Sequence, residues 1–184
     1  MRATVGREIT LRLDANGTAD WQTALGFARA VARFDIEYLE QPVATLEELA
    51  VLRRCSPIPV AADEALTGPD AVERALALEA ADVLVLKLPL LGGPRAVLAA
   101  AERASGRGMD VVVTSMLESG VGLAAAVHTA AALGAARAHG LATGQLLASL
   151  GIAESLDPVE GALSVPAGQG LGVTVQLVGG EGVA

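Results

Sequence analysis

The chain has 184 residues, of which 52% are hydrophobic and 2% aromatic. This is enough for one folded domain with a core of Ala, Val and Leu. A formal net charge of −8 excludes a predominantly basic surface, so we expect no nucleic-acid partner. The amino terminus lacks an apolar signal core, and the most apolar late stretch, residues 120–136, is shorter than a membrane span. We therefore expect a soluble, cytoplasmic protein without a membrane partner.

Strand and helix patterns alternate along the chain, which predicts βα units that build a parallel sheet. Helix starts are marked by Asp20 as a cap, by a capping box of Thr45 and Glu48, and by Pro69 in a first turn. We predict strands over residues 9–14, 36–40, 60–63, 82–88, 110–115 and 138–141, with helices over 21–34, 46–54, 69–79, 94–105 and 145–150, and a further helix that follows Gly120 and Gly122 and ends near 133.

The pattern gives about six βα units over residues 8–150, followed by a tail over 151–184 that we expect to cross the rim, all within one domain. The predicted fold class is α/β, a partial (β/α) barrel of the TIM type, which closes with eight units. Because six parallel strands leave two open edges, we expect either a homo-oligomer or a further portion of chain to cover them.

A charged residue lies at the end of each of the first three predicted strands and one residue before the end of the fourth. These residues are Asp14, Glu40, Asp63 and Lys87, at intervals of about two dozen residues. Barrels of this type carry their chemistry at the carboxyl ends of the strands, and three carboxylates there suit a hard cation such as Mg²⁺. The alternative is three unrelated acids, each bonded to loop amides. Lys87 lies in an apolar run, where it could face a substrate or form a structural ion pair.

Several motifs together resemble the enolase superfamily, in its muconate-lactonizing-like branch. They are DANG at 14–17, EQP at 40–42, ADE at 62–64 and the stretch from Lys87 to a Gly-Gly pair at 92–93. Further on, VVVTSMLESGVGLAAA and HGLATGQLL resemble o-succinylbenzoate synthases of menaquinone biosynthesis. The resemblance extends from about residue 9 to 173. Dipeptide epimerases and N-acylamino acid racemases share most of these motifs.

The resemblance implies a role for each strand-end residue. Asp14, Glu40 and Asp63 would bind Mg²⁺, or Mn²⁺, which holds a substrate carboxylate and stabilises the enediolate formed when the adjacent carbon loses a proton. Lys87 would be a catalytic residue on the far face of the substrate. The resemblance also implies supporting residues beside the ligands and residues that line the substrate pocket: Gln41, Glu64 and Asn16 would support the ligands, and Ser115, Met116, Glu118, Ser119 and Asn16 would line the pocket.

The chain departs from the family in its lysines. The family carries a second catalytic lysine, in a Lys-x-Lys motif before the DANG strand, and an amino-terminal capping domain, whereas Lys87 is the one lysine here. We expect either a carboxyl-terminal fragment or a shortened product of doubtful activity. Three functions stay open: dehydration of a cyclohexadiene carboxylic acid to o-succinylbenzoate, racemisation or epimerisation next to a carboxylate, and metal binding by an inactive fragment.

Other sequence signals are weaker. Cys55 ends an amphipathic helix pattern and is expected to be a buried apolar group. His128 lies among alanines in a helix and suits the core or the surface, while His139 ends a short strand near the mouth and could touch substrate. The glycine-rich stretch at 168–172 does not lie between a strand and a helix, so it does not predict a dinucleotide site.

Overall fold

The computed structural model of the protein describes residues 1–134 and 137–176. Residues 177–184, the end of the tail predicted over 151–184, lie outside the described residues. Contacts divide the chain into two compact units. The first unit comprises Met1–Leu86 and Ala99–Val111, and the second comprises Lys87–Leu98 and the chain from Val112 onward.

The helices and strands follow each other in the predicted alternating order. They are α1 (Arg2–Val5), β1 (Leu11–Asp14), α2 (Trp21–Val31), β2 (Ile36–Glu40), α3 (Leu46–Cys55), β3 (Val60–Ala62), α4 (Pro69–Leu78), β4 (Val83–Leu86), α5 (Leu88–Leu91), α6 (Pro94–Ser105), β5 (Asp110–Val113) and α7 (Gly120–Leu133).

The strands form one sheet in the order β1-β2-β3-β4-β5. The pairs β1/β2, β2/β3 and β3/β4 are parallel, and the backbone N–H of Asp110 donates to the carbonyl of Asp82 at 2.9 Å where β5 joins the sheet. Sequential strands that are neighbours and parallel require a crossover, which the helices supply. The predicted α/β class with repeated βα units is confirmed.

Local signals fix the helix starts in the first unit. Asp20 accepts a hydrogen bond from the backbone N–H of Thr23 at 2.8 Å, which satisfies one of the unpaired donors at the start of α2. Thr45 caps α3 by accepting from the N–H of Glu48 at 3.2 Å, and its hydroxyl donates to the Glu48 carboxylate at 2.9 Å. Pro69 occupies the start of α4, where its missing N–H costs nothing.

The core of the first unit consists of aliphatic side chains between the sheet and its helices. All four residues of β4, the VLVL run, are buried, as expected for a parallel strand covered on both faces. One cluster joins Ala28 of α2 to Ile36 and Leu39 of β2 and to Ile58. Burial of such side chains contributes roughly 25 cal/mol per Å² of apolar surface removed from water.

Three predictions about the helices and strands and where they begin or end need correction. The run predicted as one strand over 82–88 ends at Leu86, and Leu88–Leu91 forms a short helix, because Pro89 cannot donate within a sheet but fits a helical first turn. The helix α7 begins at Gly120, so Gly122 lies inside it. The sixth strand is reduced to a parallel bridge between Thr114 and Gly140, so the described sheet has five strands and not six.

Smaller differences concern single residues and the late segments. Cys55 is exposed rather than buried, because it is the last residue of α3, past the end of the helix's buried stripe. The predicted helix over 145–150 is instead a 3-10 turn over Thr143–Leu146. Across residues 1–134 and 137–176, no helix has the length and apolar content to cross a membrane.

Candidate metal and substrate site

The three predicted acidic residues lie at the carboxyl ends of neighbouring strands. Asp14 ends β1 and is the register partner of Glu40, which ends β2. Glu40 is in turn the partner of Ala61 in β3, and Asp63 directly follows that strand. Since all three strands run in the same direction, these acids share one edge of the sheet.

Asn16 connects two acidic residues at this edge. Its backbone N–H and side-chain Nδ2 donate to the two carboxylate oxygens of Asp14 at 3.0 and 3.1 Å, and Nδ2 also lies 2.9 Å from Glu64 Oε1. Asn16 adopts the left-handed conformation, with φ 46°, which asparagine tolerates better than most residues. Asn16 therefore fixes the direction of the Asp14 carboxylate and ties the loop after β1 to the loop after β3.

Gln41 connects the loops after β2 and β3 from inside the protein. Its side chain is fully buried. The amide oxygen accepts from the backbone N–H groups of Asp63 at 2.8 Å and Ala65 at 3.2 Å, and the amide nitrogen donates to the Val43 carbonyl at 2.7 Å. A buried amide with both ends satisfied orients the backbone around it. Gln41 thus holds the segment from which Asp63 projects.

The side chains of Asp14, Glu40 and Asp63 are not gathered into one ligand set. Within residues 1–134 and 137–176, no group of three or more His, Cys, Asp or Glu side chains is arranged to hold a metal ion. Both carboxylate oxygens of Asp14 accept hydrogen bonds from Asn16. This agrees with the alternative interpretation for Asp14, in which each acid is bonded to loop amides. The donor chemistry, three carboxylates at adjacent strand ends, still fits a hard cation. The metal site therefore stays a prediction.

Lys87 belongs to the second compact unit, whereas the three acids belong to the first. It directly follows β4 and is the cap residue of α5, with an extended backbone at φ −113° and ψ 119°. Its placement after an entirely buried strand agrees with the strand-end position expected from the sequence. Its catalytic role stays a prediction.

The predicted substrate loop is held by hydrogen bonds within the second unit. Ser115 is buried, and its hydroxyl lies 2.7 Å from Thr143 Oγ1 and 3.2 Å from the Gly140 carbonyl. Thr143 also donates to the Met116 carbonyl at 2.8 Å. Ser119 caps α7 by accepting from the N–H of Gly122 at 3.4 Å. The two serines thus shape the loop, and their hydroxyls are already engaged.

Glu118 is the charged residue of this loop. Its Oε1 accepts from the Met116 N–H at 3.0 Å, and its side chain lies in the wall of a cleft of about 250 Å³. Burial raises the pKa of Glu118 above that of an ordinary glutamate, against the opposing effect of the Met116 hydrogen bond. The residues that line the cleft with Glu118 are uncharged: Leu88, Pro89, Gly92, Gly93, Pro94, Gly122 and Ala125.

The two histidines form hydrogen bonds within the second unit. The Nδ1 atom of His139 accepts from the Val113 N–H at 3.0 Å, and the ring lines a separate groove of about 530 Å³. His128 Nε2 lies 3.1 Å from the Leu171 carbonyl, which joins α7 to the tail. The substrate contact considered for His139 stays a prediction.

Two residues of the loop region were not singled out from the sequence. Thr143 lies within the HGLATGQLL motif, but its bonds to Ser115 and Met116 join positions 28 and 27 residues apart, and no local pattern reveals such a pairing. Gly122 is a glycine inside a helix. Glycine is unfavourable inside a helix, but the sequence pattern placed Gly122 before the helix, so this signal becomes visible only when α7 is seen to begin at Gly120.

The sequence of this chain matches a known protein family. The family model described as "Enolase C-terminal domain-like" matches residues 1–177. The chain belongs to the enolase C-terminal domain-like family. This membership confirms the resemblance to the enolase superfamily that the DANG, EQP and ADE motifs indicate.

Curated relatives of this enolase C-terminal-like chain include o-succinylbenzoate synthases. The protein of that name from Thermobifida fusca strain YX is 45% identical over 166 residues, which cover 90% of this chain and 51% of the relative. The o-succinylbenzoate synthase from Mycobacterium tuberculosis strain H37Rv is 44% identical over 173 residues, which cover 89% of this chain and 50% of the relative. The chain thus spans about half the length of the curated relatives it matches.

Solved structures place the enolase C-terminal-like chain with related enzymes. The muconate lactonizing enzyme from Pseudomonas putida superposes with a TM-score of 0.85 at 27% identity, covering 95% of this chain and 49% of the enzyme. The dipeptide epimerase from Enterococcus faecalis V583 gives 0.86 at 28% identity, covering 94% and 52%. The fold is therefore a five-stranded part of the barrel domain of the superfamily, which confirms the predicted partial barrel.

Proposed function

We propose that residues 1–184 are the barrel portion of a lyase of the o-succinylbenzoate synthase kind, which dehydrates a cyclohexadiene carboxylic acid in menaquinone biosynthesis. The sequence identity to two o-succinylbenzoate synthases carries this proposal, because it is well above the identity to the structurally similar muconate lactonizing enzyme and dipeptide epimerase. The partner is then a small carboxylate substrate in the cytoplasm. A second copy of the chain is a further proposed partner, since open sheet edges favour association.

The proposed cofactor is Mg²⁺, with Mn²⁺ as a substitute, held by Asp14, Glu40 and Asp63. Their common position at the carboxyl ends of β1, β2 and β3 supports this choice, as does the preference of Mg²⁺ for carboxylate oxygens. When bound, Mg²⁺ supplies Lewis-acid polarisation of a substrate carboxylate, which acidifies the adjacent C–H.

The residues of this chain supply orientation and charge around that chemistry. Asn16 and Gln41 hold Asp14 and the Asp63 segment in fixed directions through the hydrogen bonds described above, a role in which partner residues strengthen a metal site. We assign Lys87 to stabilisation of the anion that forms on the substrate. By resemblance, the group that takes the proton belongs to a Lys-x-Lys strand, which residues 1–184 do not contain.

The second candidate function is epimerisation of a dipeptide. It is favoured by the dipeptide epimerase superposition with its TM-score near that of the muconate lactonizing enzyme. In that reaction Lys87 would exchange a proton with the substrate rather than only stabilise charge. The two functions therefore differ in what they require of Lys87.

The test is an assay of residues 1–184 alone and of a fusion to the amino-terminal half of the Thermobifida fusca synthase. We expect the fusion to form o-succinylbenzoate with Mg²⁺ and the isolated chain to be slower by at least about 10²–10⁴-fold, the typical contribution of one general base. In parallel, the exchange of the α-proton of dipeptides with solvent tests epimerisation. Equal dehydratase rates for both chains, or α-proton exchange in dipeptides as the only activity, would contradict the proposal.

A further inference from the structure

Gly122 has no backbone reason to be glycine. It lies in the first turn of α7, whose cap is Ser119, and its φ is not in the left-handed region. Glycine in a helix is less favourable than alanine because it has more freedom to lose on folding. The reason for glycine here must therefore be the space around it.

That space is occupied by the carboxylate of Glu118. A Cβ atom on residue 122 would lie 2.3 Å from Glu118 Oε2, 3.1 Å from its Cδ and 3.3 Å from its Cγ. The first distance is far below a van der Waals contact, so the Cβ atom and the carboxylate exclude each other. Because the clashing atom ends a flexible side chain, an added Cβ would move Glu118 rather than the helix.

In its observed position, the carboxyl group of Glu118 is the polar part of an otherwise uncharged cleft. The Met116 N–H donates to one oxygen at 3.0 Å, while the other oxygen rests over Gly122. The wall opposite α7 comes from Leu88 and Pro89 of α5 and the glycines that follow. Neither Lys87 before α5 nor Arg95 in α6 lies among the lining residues, and the first turn of α7 carries no acid or base.

We infer that Gly122 is a positioning residue that holds the carboxyl group of Glu118 inside this cleft by leaving room for it. The inference rests on the proposed function in one respect, namely that the cleft belongs to the substrate site. Any residue with a Cβ at position 122 then expels the carboxyl group toward solvent and removes the polar group from the cleft wall. The raised pKa of Glu118, caused by burial, supports this, because it should return toward the ordinary value when the group leaves.

The test compares Gly122→Ala with Gly26→Ala in the 184-residue chain. Gly26 is also a helical glycine, in α2, but apart from its chain neighbours and the adjacent backbone of its own helix, no heavy atom lies within 4 Å of the Cβ it would gain. The ¹³C carboxyl resonance of Glu118, identified by its loss in Glu118→Gln, reports the titration directly. We expect its midpoint to fall in Gly122→Ala and to stay unchanged in Gly26→Ala. An unchanged midpoint in a folded Gly122→Ala protein would overturn the inference.

A double-mutant cycle answers the same question through melting temperature. Alanine stabilises a helix relative to glycine, so Gly122→Ala should raise the Tm in a Glu118→Ala background. In the wild-type background the gain should be smaller or reversed, because Glu118 must leave its preferred position. If Gly122→Ala fails to fold alone, folding of the double variant supports the inference. An equal Tm shift in both backgrounds contradicts it.

Neither measurement uses a substrate, so the outcome separates the inference from the proposed function. A shifted Glu118 midpoint together with inactivity toward the synthase substrate would retain the positioning role and remove the dehydratase. Dehydratase activity in the fusion together with an unchanged Glu118 midpoint would retain the dehydratase and remove the positioning role of Gly122.

Discussion

The amide oxygen of Gln41 accepts a hydrogen bond from the backbone N–H of Asp63 at 2.8 Å, which ties the end of β2 to the residue that follows β3. The same oxygen accepts from Ala65, and the amide nitrogen donates to Val43. One buried side chain thus fixes the backbone on both sides of a predicted metal ligand, so the site and the fold depend on the same group.

Gln41→Ala should therefore destabilise the protein strongly. It leaves two N–H groups and one carbonyl without their partner, and each buried unsatisfied group costs about 1–3 kcal/mol. Allowing for partial relaxation, we expect the free energy of unfolding to fall by about 2–4 kcal/mol. The measurement is urea denaturation, with Gln22→Ala on the exposed side of α2 as the control. A loss no larger than that of the control would mean that Gln41 does not hold these loops.

Arg53 has two acidic partners of unequal importance. Its Nε lies 2.8 Å from Asp82 Oδ1, and the other Asp82 oxygen accepts from the Val60 N–H at 2.9 Å. Its contact with Glu79 is 3.8 Å long, and the Glu79 side chain is 68% exposed. We expect Asp82→Ala to cost about 1.5–3 kcal/mol, as for hydrogen bonds to a charged group, and Glu79→Ala at most about 0.5 kcal/mol. Similar costs in thermal unfolding would refute this ranking.

Glu118 should make stability depend on pH. Burial raises its folded-state pKa above the unfolded value, so its contribution is fully present below the unfolded pKa, about 4.3 for glutamate, and is lost as the pH rises through the folded-state pKa. Glu118→Gln removes the charge without removing the acceptor for Met116. The variant should have a higher Tm than the wild type at pH 7–8, and the difference should shrink toward pH 4.

The control for this pH series is Glu102→Gln in α6, at an exposed position. It separates the loss of one negative charge from an effect of the cleft. A Glu118→Gln protein whose Tm advantage is constant from pH 4 to pH 8, or absent throughout, would show that the carboxyl group is not buried in solution.

Much of the fold could be predicted from the sequence, because helix caps and buried strands leave patterns among neighbouring residues. Asp20 and the Thr45 and Glu48 pair are caps whose partners lie three residues away, and the VLVL run of β4 shows burial on both faces. The short helix α5 was missed because its apolar residues continue the run of β4. Only the geometric effect of Pro89 separates the two.

The site was readable only in part. Strand ends are set by local patterns, so the placement of Asp14, Glu40 and Asp63 could be predicted. Side-chain directions are not local. The bond from Asn16 to Glu64 spans 48 residues and that from Asp63 to Gln41 spans 22. By contrast, the hydrogen bonds from Asn16 to Asp14 span only two residues, so this local turn is of the kind that a sequence pattern can indicate.

We propose that the three strand-end acids form one metal site, and a Mn²⁺ titration of the 184-residue chain followed by electron paramagnetic resonance tests this site. We expect one site per chain. Asp14→Asn, Glu40→Gln and Asp63→Asn should each weaken binding by at least roughly 10-fold, since each removes an anionic ligand. Asp70→Asn, an exposed acid in α4, should bind as the wild type does. Binding that any one of the three substitutions leaves unchanged, or no binding by the wild type, would contradict the account.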